Sequence, residues 1–435
     1  MLIRAAAFAL ALLLPAAAFA QPTPREVVDR TAKAIEDLYF DPAKGKAIAA
    51  DLRKEAAAGK YDALTDPRDL ATALSTRLRP LDHHFNVAWQ PGQAGPAPAG
   101  PGGPGGPPGA GGPPSRPVYG PATKRGNYGF KKVEMLPGGV GYIQLNQFVG
   151  FAGDGDGPKA AADAALTLLA NADALIIDLR DNGGGSPAMV GYLVSAFTPK
   201  DAEIYNVFHS REGTEDEKPP VFYANPRLDT PVYILTSGRT GSAGEALPYT
   251  LQAAKRATIV GEATGGAANP GGPAPLGDGY SIFISRGSPV NPITKSNWEG
   301  AGVQPDVKVP AADALEVAQT LALETILAKG GEGPVAQDSR WALEALKARK
   351  APPAYVKADY LGSYGDVAIA EEDGRLVVKR GRRPAWAILP VARDVFYAEA
   401  DPGRRVVFER DASGKVVAFE IVGSLQPGGQ RLRRE

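Results

Sequence analysis

The chain has 435 residues, enough for about two or three domains and for a large core without covalent staples. Its 48 basic residues balance 48 acidic ones, which excludes nucleic acid or an anionic membrane surface as the main partner, since both draw on a basic field. It has no cysteine, which removes disulfides, thiolate metal sites and a cysteine nucleophile together.

In chain order, Arg4 precedes the apolar run Ala5 to Leu14, and Ala18-Phe19-Ala20 has the small-x-small form of a cleavage site. Residues 1–20 therefore read as a signal peptide, too short to span a bilayer. The expectation is an exported protein, periplasmic or secreted, starting near Gln21, with no membrane span after signal removal.

Residues 21–90 read as a helical domain. Val27, Ala32, Ile35 and Leu38 stand near helical spacing. Thr65-Asp66-Pro67 opens a helix through Leu70, Leu74 and Leu78. The domain ends in Leu81-Asp82-His83-His84-Phe85-Asn86-Val87, where Phe85 and Val87 alternate as in a strand. Two of the three histidines of the chain lie here. The pair reads as a turn feature, a catalytic base or, least well without a third histidine or an acidic cluster nearby, a metal site. Residues 91–124 form a linker. Within it, 19 of the 24 residues from Pro91 to Pro114 are Gly or Pro, a composition that buries no core.

Residues 125–330 alternate strand and helix. Gly141 to Leu145 reads as a strand and Lys159 to Ala170 as a helix. Ala174 to Leu179 is a short unbroken apolar run, typical of a strand covered on both faces. It leads into Arg180-Asp181-Asn182-Gly183-Gly184-Gly185, whose spacing fits neither the P-loop nor the dinucleotide fingerprint. There follow a helix over Met189–Phe197, strands over Val232–Leu235 and Thr258–Val260, and a further strand over Tyr280–Ile284. The pattern predicts an α/β domain with a largely parallel sheet, whose sites collect at the carboxyl ends of the strands. Ser242 sits where a turn becomes a helix, beside free backbone N–H groups. With Glu245 three residues on, it reads either as one side of a capping box or as a nucleophile whose chemistry passes through an oxyanion. Asp313 caps a helix running to about Lys329, and residues 331–354 link onward.

Residues 355–435 change character. Asp366–Ala370, Arg375–Lys379, Val395–Tyr397, Arg405–Glu409 and Lys415–Val422 are strand-like, with turns at Asp373-Gly374, Pro402-Gly403 and Ser413-Gly414. This predicts a small antiparallel β domain, structural or substrate-docking in role.

Four segments taken together, LIIDLRDNGGG, TSGRTGSAGEAL, IVGEATGG and NWEGAGVQPDV, resemble the C-terminal-processing (tail-specific) serine peptidase family. The likeness is to the branch that includes the interphotoreceptor retinoid-binding protein modules and the tricorn protease core. It covers about residues 127–330 and the DHHF segment upstream. It implies a crotonase- or Clp-protease-like α/β core, with Ser242 as nucleophile and the backbones of Gly184 and Ala243 as oxyanion donors. Many relatives carry a lysine base in a T-F-G-K-like segment, but here Thr264-Gly265-Gly266-Ala267 puts Ala267 in its place. Lys255 cannot substitute, since thirteen residues of helix span about 20 Å. The tricorn-like pattern instead matches His84 as base and Glu299 as its support, with His83 standing where that pattern has a serine. No segment suggests the PDZ domain many tail-specific relatives carry. The expected reaction is hydrolysis of a peptide or protein substrate with no metal or organic cofactor. The rival readings are a carrier of apolar ligands, as in the retinoid-binding relatives, and a scaffold without catalysis.

Overall fold

A computed structural model describes residues 21–90, 119–153, 155–426 and 428–435. The signal-peptide expectation for residues 1–20 and most of the Gly/Pro-rich linker lie outside the described residues. The chain divides into two compact units, residues 1–98 with 271–286, and residues 99–270 with 287–435.

Among the described residues the first unit holds three helices, Pro24–Leu38, Pro42–Ala57 and Pro67–Leu78. Each begins with proline in the first turn after a capping side chain, Thr23, Asp41 or Asp66, the arrangement that satisfies orphan N–H groups at least cost. The middle helix carries Gly45, Ile48, Ala49, Leu52 and Ala56 toward the core, and the sequence reading passed over it. Strand Asn86–Trp89 pairs antiparallel with Tyr280–Ser285, which pairs with Gly271–Gly277. Asp278 and Gly279 join the last two with positive φ (51° and 84°), as a tight type I′ turn requires. Val28, Ile35, Leu52, Leu74, Phe85, Ile282 and Ile284 form one buried cluster. Residues 271–286, read from sequence as part of the α/β core, thus belong to the N-terminal unit.

The second unit is built on a six-stranded sheet in the order Val307–Lys308, Ala257–Gly261, Val232–Thr236, Ala174–Asp178, Val140–Leu145, Phe130–Leu136. All neighbours are parallel except the last pair. Alternate side chains point to opposite faces of a strand, and both faces are covered. Ile143, Leu175, Ile177, Ile234 and Ile259 pack against helices Gly157–Leu168, Pro187–Ser195 and Ala243–Ala253. Tyr142, Ala174, Ile176, Tyr233, Leu235 and Val260 pack against Ala314–Ala328 and Pro334–Lys350. The apolar run Ala174–Ile177 is the consequence: every residue of strand Ala174–Asp178 is buried.

Residues beyond Tyr360 form an eight-stranded antiparallel sheet in sequence order. Glu435 N–H donates to the Ser363 carbonyl at 3.0 Å, so the last residue returns to the first strand. Tyr360, Tyr364, Phe396, Phe408 and Phe419 fill its core. The sequence reading found five of these strands. Pro402-Gly403, expected to turn, lies inside strand Asp401–Arg410, and the turn falls just before, where Ala398 pairs with Asp401. The fold is mixed α/β with a C-terminal antiparallel β sheet, and among the described residues no helix is long and apolar enough to cross a membrane.

Candidate active site

Strand Val232–Thr236 ends at the carboxyl edge of the parallel sheet and is followed by a turn stitched to the neighbouring loop. Thr240 Oγ1 donates to the Leu179 carbonyl at 2.8 Å, Ser237 Oγ to the Arg180 carbonyl at 2.6 Å, and Gly241 N–H to the Asn182 carbonyl at 3.0 Å. The Arg180 loop is itself anchored from below. Arg180 grips buried Asp178 through Nε (2.9 Å) and Nη2 (2.6 Å), and Tyr142 donates to the same carboxylate at 2.7 Å. Bidentate pairs of this kind fix direction as well as distance.

Between turn and helix stands Ser242, with φ 55° and ψ −127°. A non-glycine residue in this region costs about 1–3 kcal/mol and persists only where its surroundings hold it. The residue is partly exposed. It forms a capping box with Glu245, whose carboxylate accepts Ser242 N–H at 2.8 Å. Glu245 N–H also donates to the Ser242 carbonyl at 2.8 Å.

Glu245 does more than the capping role its spacing announces. Its fully buried carboxylate accepts from Ser242 N–H (2.8 Å), Thr264 Oγ1 (2.5 Å), Gly266 N–H (2.7 Å) and Ala267 N–H (2.9 Å). Glu299 holds the continuation of the same loop, accepting through Oε2 from Ala268 N–H (2.8 Å) and Asn269 N–H (3.0 Å). Thr264 Oγ1 also accepts from Val303 N–H at 2.7 Å, and Gly300 N–H donates to the Gly266 carbonyl at 2.8 Å. The structure therefore brings Ser242 and Glu299 to one loop, residues 264–269, each through a carboxylate.

Gly184 lies against the serine: a Cβ placed on it would stand 2.9 Å from Ser242 Cβ, and its φ is 115°. Its N–H is engaged, donating to Asn182 Oδ1 at 2.9 Å. Ala243 N–H, at the first position of the helix, has no partner among the described residues, as the opening turn of a helix leaves it.

His84 belongs to the first unit. Its Nδ1 lies 3.2 Å from Asp82 Oδ1, and its backbone N–H donates to the same oxygen at 2.9 Å. Phe283 stacks on the ring at 5.9 Å between centroids. The Asp82 side chain is 1% exposed and His84 20%, whereas His83 is exposed. Burial pushes the Asp82 carboxyl up, but the bonds from the His84 ring and backbone outweigh it, leaving it below the ordinary carboxylate range. Sequence reasoning missed this partnership. The one signal was an aspartate two residues before a histidine, a spacing common in turns.

Residues 139–309 match the family model of peptidase family S41. The matched segment contains Gly184, Ser242, Ala243, Glu245 and Glu299, while Asp82 and His84 lie outside it. The chain is similar to the carboxyl-terminal-processing protease of Synechocystis sp., 34% identical over 149 residues, which are 34% of this chain and 32% of that protein. It is also similar to carboxyl-terminal-processing peptidase 1, chloroplastic, of Arabidopsis thaliana, 29% identical over 203 residues, 46% of this chain and 40% of that protein. Among solved structures, the photosystem II D1 C-terminal processing protease matches with a TM-score of 0.41 and 18% identity over 67% of this chain and 94% of that one. The matched part spans a third to two fifths of the curated relatives' length.

Proposed function

We propose that this chain is an exported serine peptidase, periplasmic or secreted, that hydrolyses peptide bonds in a peptide or protein substrate. The observation that carries the reading is the backbone of Ser242: φ 55° and ψ −127° at the head of a helix, on the carboxyl edge of a parallel sheet. A serine needed only as a cap adopts an ordinary extended conformation. A serine held in a strained one presents its hydroxyl outward, as nucleophiles on strand-to-helix turns do.

In this reading Ser242 Oγ attacks the scissile carbonyl carbon while His84 takes its proton. The tetrahedral oxyanion rests on Ala243 N–H and Gly184 N–H. Ala243 N–H is available at once, and Gly184 N–H must first leave Asn182 Oδ1. His84 returns the proton to the departing amine, and water then releases the acyl group by the same route. Glu299 supports the imidazolium by its negative charge. The match of residues 139–309 to peptidase family S41 and the names of the relatives support the peptidase class.

The test is labelling of the full chain with a fluorophosphonate. Wild type should label, and Ser242→Ala should not. An unlabelled wild type, or equal labelling of both, defeats the proposal. His84→Ala should then label at least about a hundredfold more slowly, the usual contribution of a positioned base.

A further inference from the structure

We propose that Asp82 is the residue that positions the base, fixing the tautomer and direction of the His84 imidazole; this rests on the serine-peptidase reading. An imidazole has two nitrogens. A base that takes a proton from a serine must turn one of them to the hydroxyl and keep the other protonated. Asp82 Oδ1 stands 3.2 Å from Nδ1, so in the neutral ring facing this carboxylate Nδ1 carries the proton and the lone pair is on Nε2.

The geometry makes this carboxylate rigid. Asp82 Oδ1 also accepts His84 N–H at 2.9 Å, and Phe85 N–H donates to the Asp82 carbonyl at 3.1 Å. Carboxylate, backbone and ring thus form one closed local unit. Around it, Phe283 of strand Tyr280–Ser285 covers the imidazole face. The further carboxylate of the reading, Glu299, has one oxygen held by Ala268 and Asn269 N–H. The lowered pKa of Asp82 fits a group that stays ionised while the imidazole cycles.

A structural Asp82 and a positioning Asp82 differ in what they do to the ring. Asp82→Asn keeps an oxygen for the backbone N–H and removes the charge. For the full chain, kcat/KM against a cleaved peptide should fall about 10²- to 10⁴-fold with KM little changed. Independently of turnover, His84 should be followed by NMR with labelled histidine in the Ser242→Ala protein. His83→Gln and His209→Gln variants assign its signal. The ring should be in the Nδ1–H tautomer, and Asp82→Asn should lower its titration midpoint by about one unit or more. An Nε2–H tautomer in the Ser242→Ala protein, which needs no change at Asp82 and so no refolding, overturns the proposal. So does an unchanged midpoint or an unchanged kcat/KM in folded Asp82→Asn. A chain that takes no fluorophosphonate but shows the tautomer and the shift keeps the Asp82–His84 coupling and loses only the peptidase.

Discussion

Ser242 and Glu245 hold each other in both directions: Ser242 N–H donates to Glu245 Oε2 at 2.8 Å, and Glu245 N–H donates to the Ser242 carbonyl at 2.8 Å. Because the same carboxylate also collects Thr264, Gly266 and Ala267, the conformation of Ser242 and the course of residues 264–267 are one mechanical unit. The amide of Glu245→Gln would present N–H to at least one donor. A buried donor left unmet costs about 1–3 kcal/mol. The variant should unfold at lower denaturant, and its fluorophosphonate labelling rate should fall by about tenfold or more. A labelling rate equal to wild type would show that the loop and the serine are set independently.

The strain at Ser242 makes a prediction of the opposite sign for stability. Glycine adopts φ 55° freely, so Ser242→Gly should relieve about 1–3 kcal/mol. It gives back about 0.5–1 kcal/mol through the looser unfolded chain. The net is a gain of about 1 kcal/mol, read as a higher thermal midpoint, with all labelling lost. A lower midpoint than that of Ser242→Ala would mean that the backbone at this position is not strained.

Gly184 should tolerate no side chain. With φ 115° and a Cβ that would meet Ser242 Cβ at 2.9 Å and the Gly241 carbonyl oxygen at 3.0 Å, Gly184→Ala must move the turn that carries the serine. We expect about 1–3 kcal/mol of destabilisation and a labelling rate at least about tenfold lower. A folded Gly184→Ala that labels normally would remove this loop from the site.

What sequence patterns reached and missed follows from range. The run Ala174 to Leu179 and the helix opening at Thr65-Asp66-Pro67 are local features, and local physics read them. The placement of residues 271–286 was out of reach because it depends on Asn86–Trp89 pairing with Tyr280–Ser285, two segments far apart in the sequence. In the β sheet, Trp386–Ala392 was passed over because it contains Pro390, and the pairing there is irregular between Pro390 and Ala392, where a proline is admitted. At the site, Ser242 and Glu299 were legible as motif residues. The four donors on Glu245 were not, since three come from a loop whose sequence, Thr264-Gly265-Gly266-Ala267, offers no chemistry of its own.

Glu217 predicts a pH dependence of stability. Its carboxyl sits beside the buried Asn206, whose Nδ2 donates to it at 3.1 Å. Asn206 in turn accepts from Asn291 Nδ2 at 3.1 Å. Burial pushes the Glu217 carboxyl up to about 7, the Asn206 bond pulling the other way and the nearby Glu215 charge adding to the rise. The folded state then binds this proton more tightly than the unfolded chain, where glutamate titrates near its ordinary value. Between those two values the native state carries the extra proton, so stability falls as pH rises through the window and levels off above about 7. The contribution is on the order of 2 kcal/mol. Glu217→Gln, which cannot ionise, should lack it. The check is the denaturation midpoint of wild type minus that of Glu217→Gln at steps from pH 4.5 to 7.5. That difference should shrink steadily as pH rises. A flat difference would place the Glu217 carboxyl in water, and a rising one would mean that its charge is stabilised by the fold.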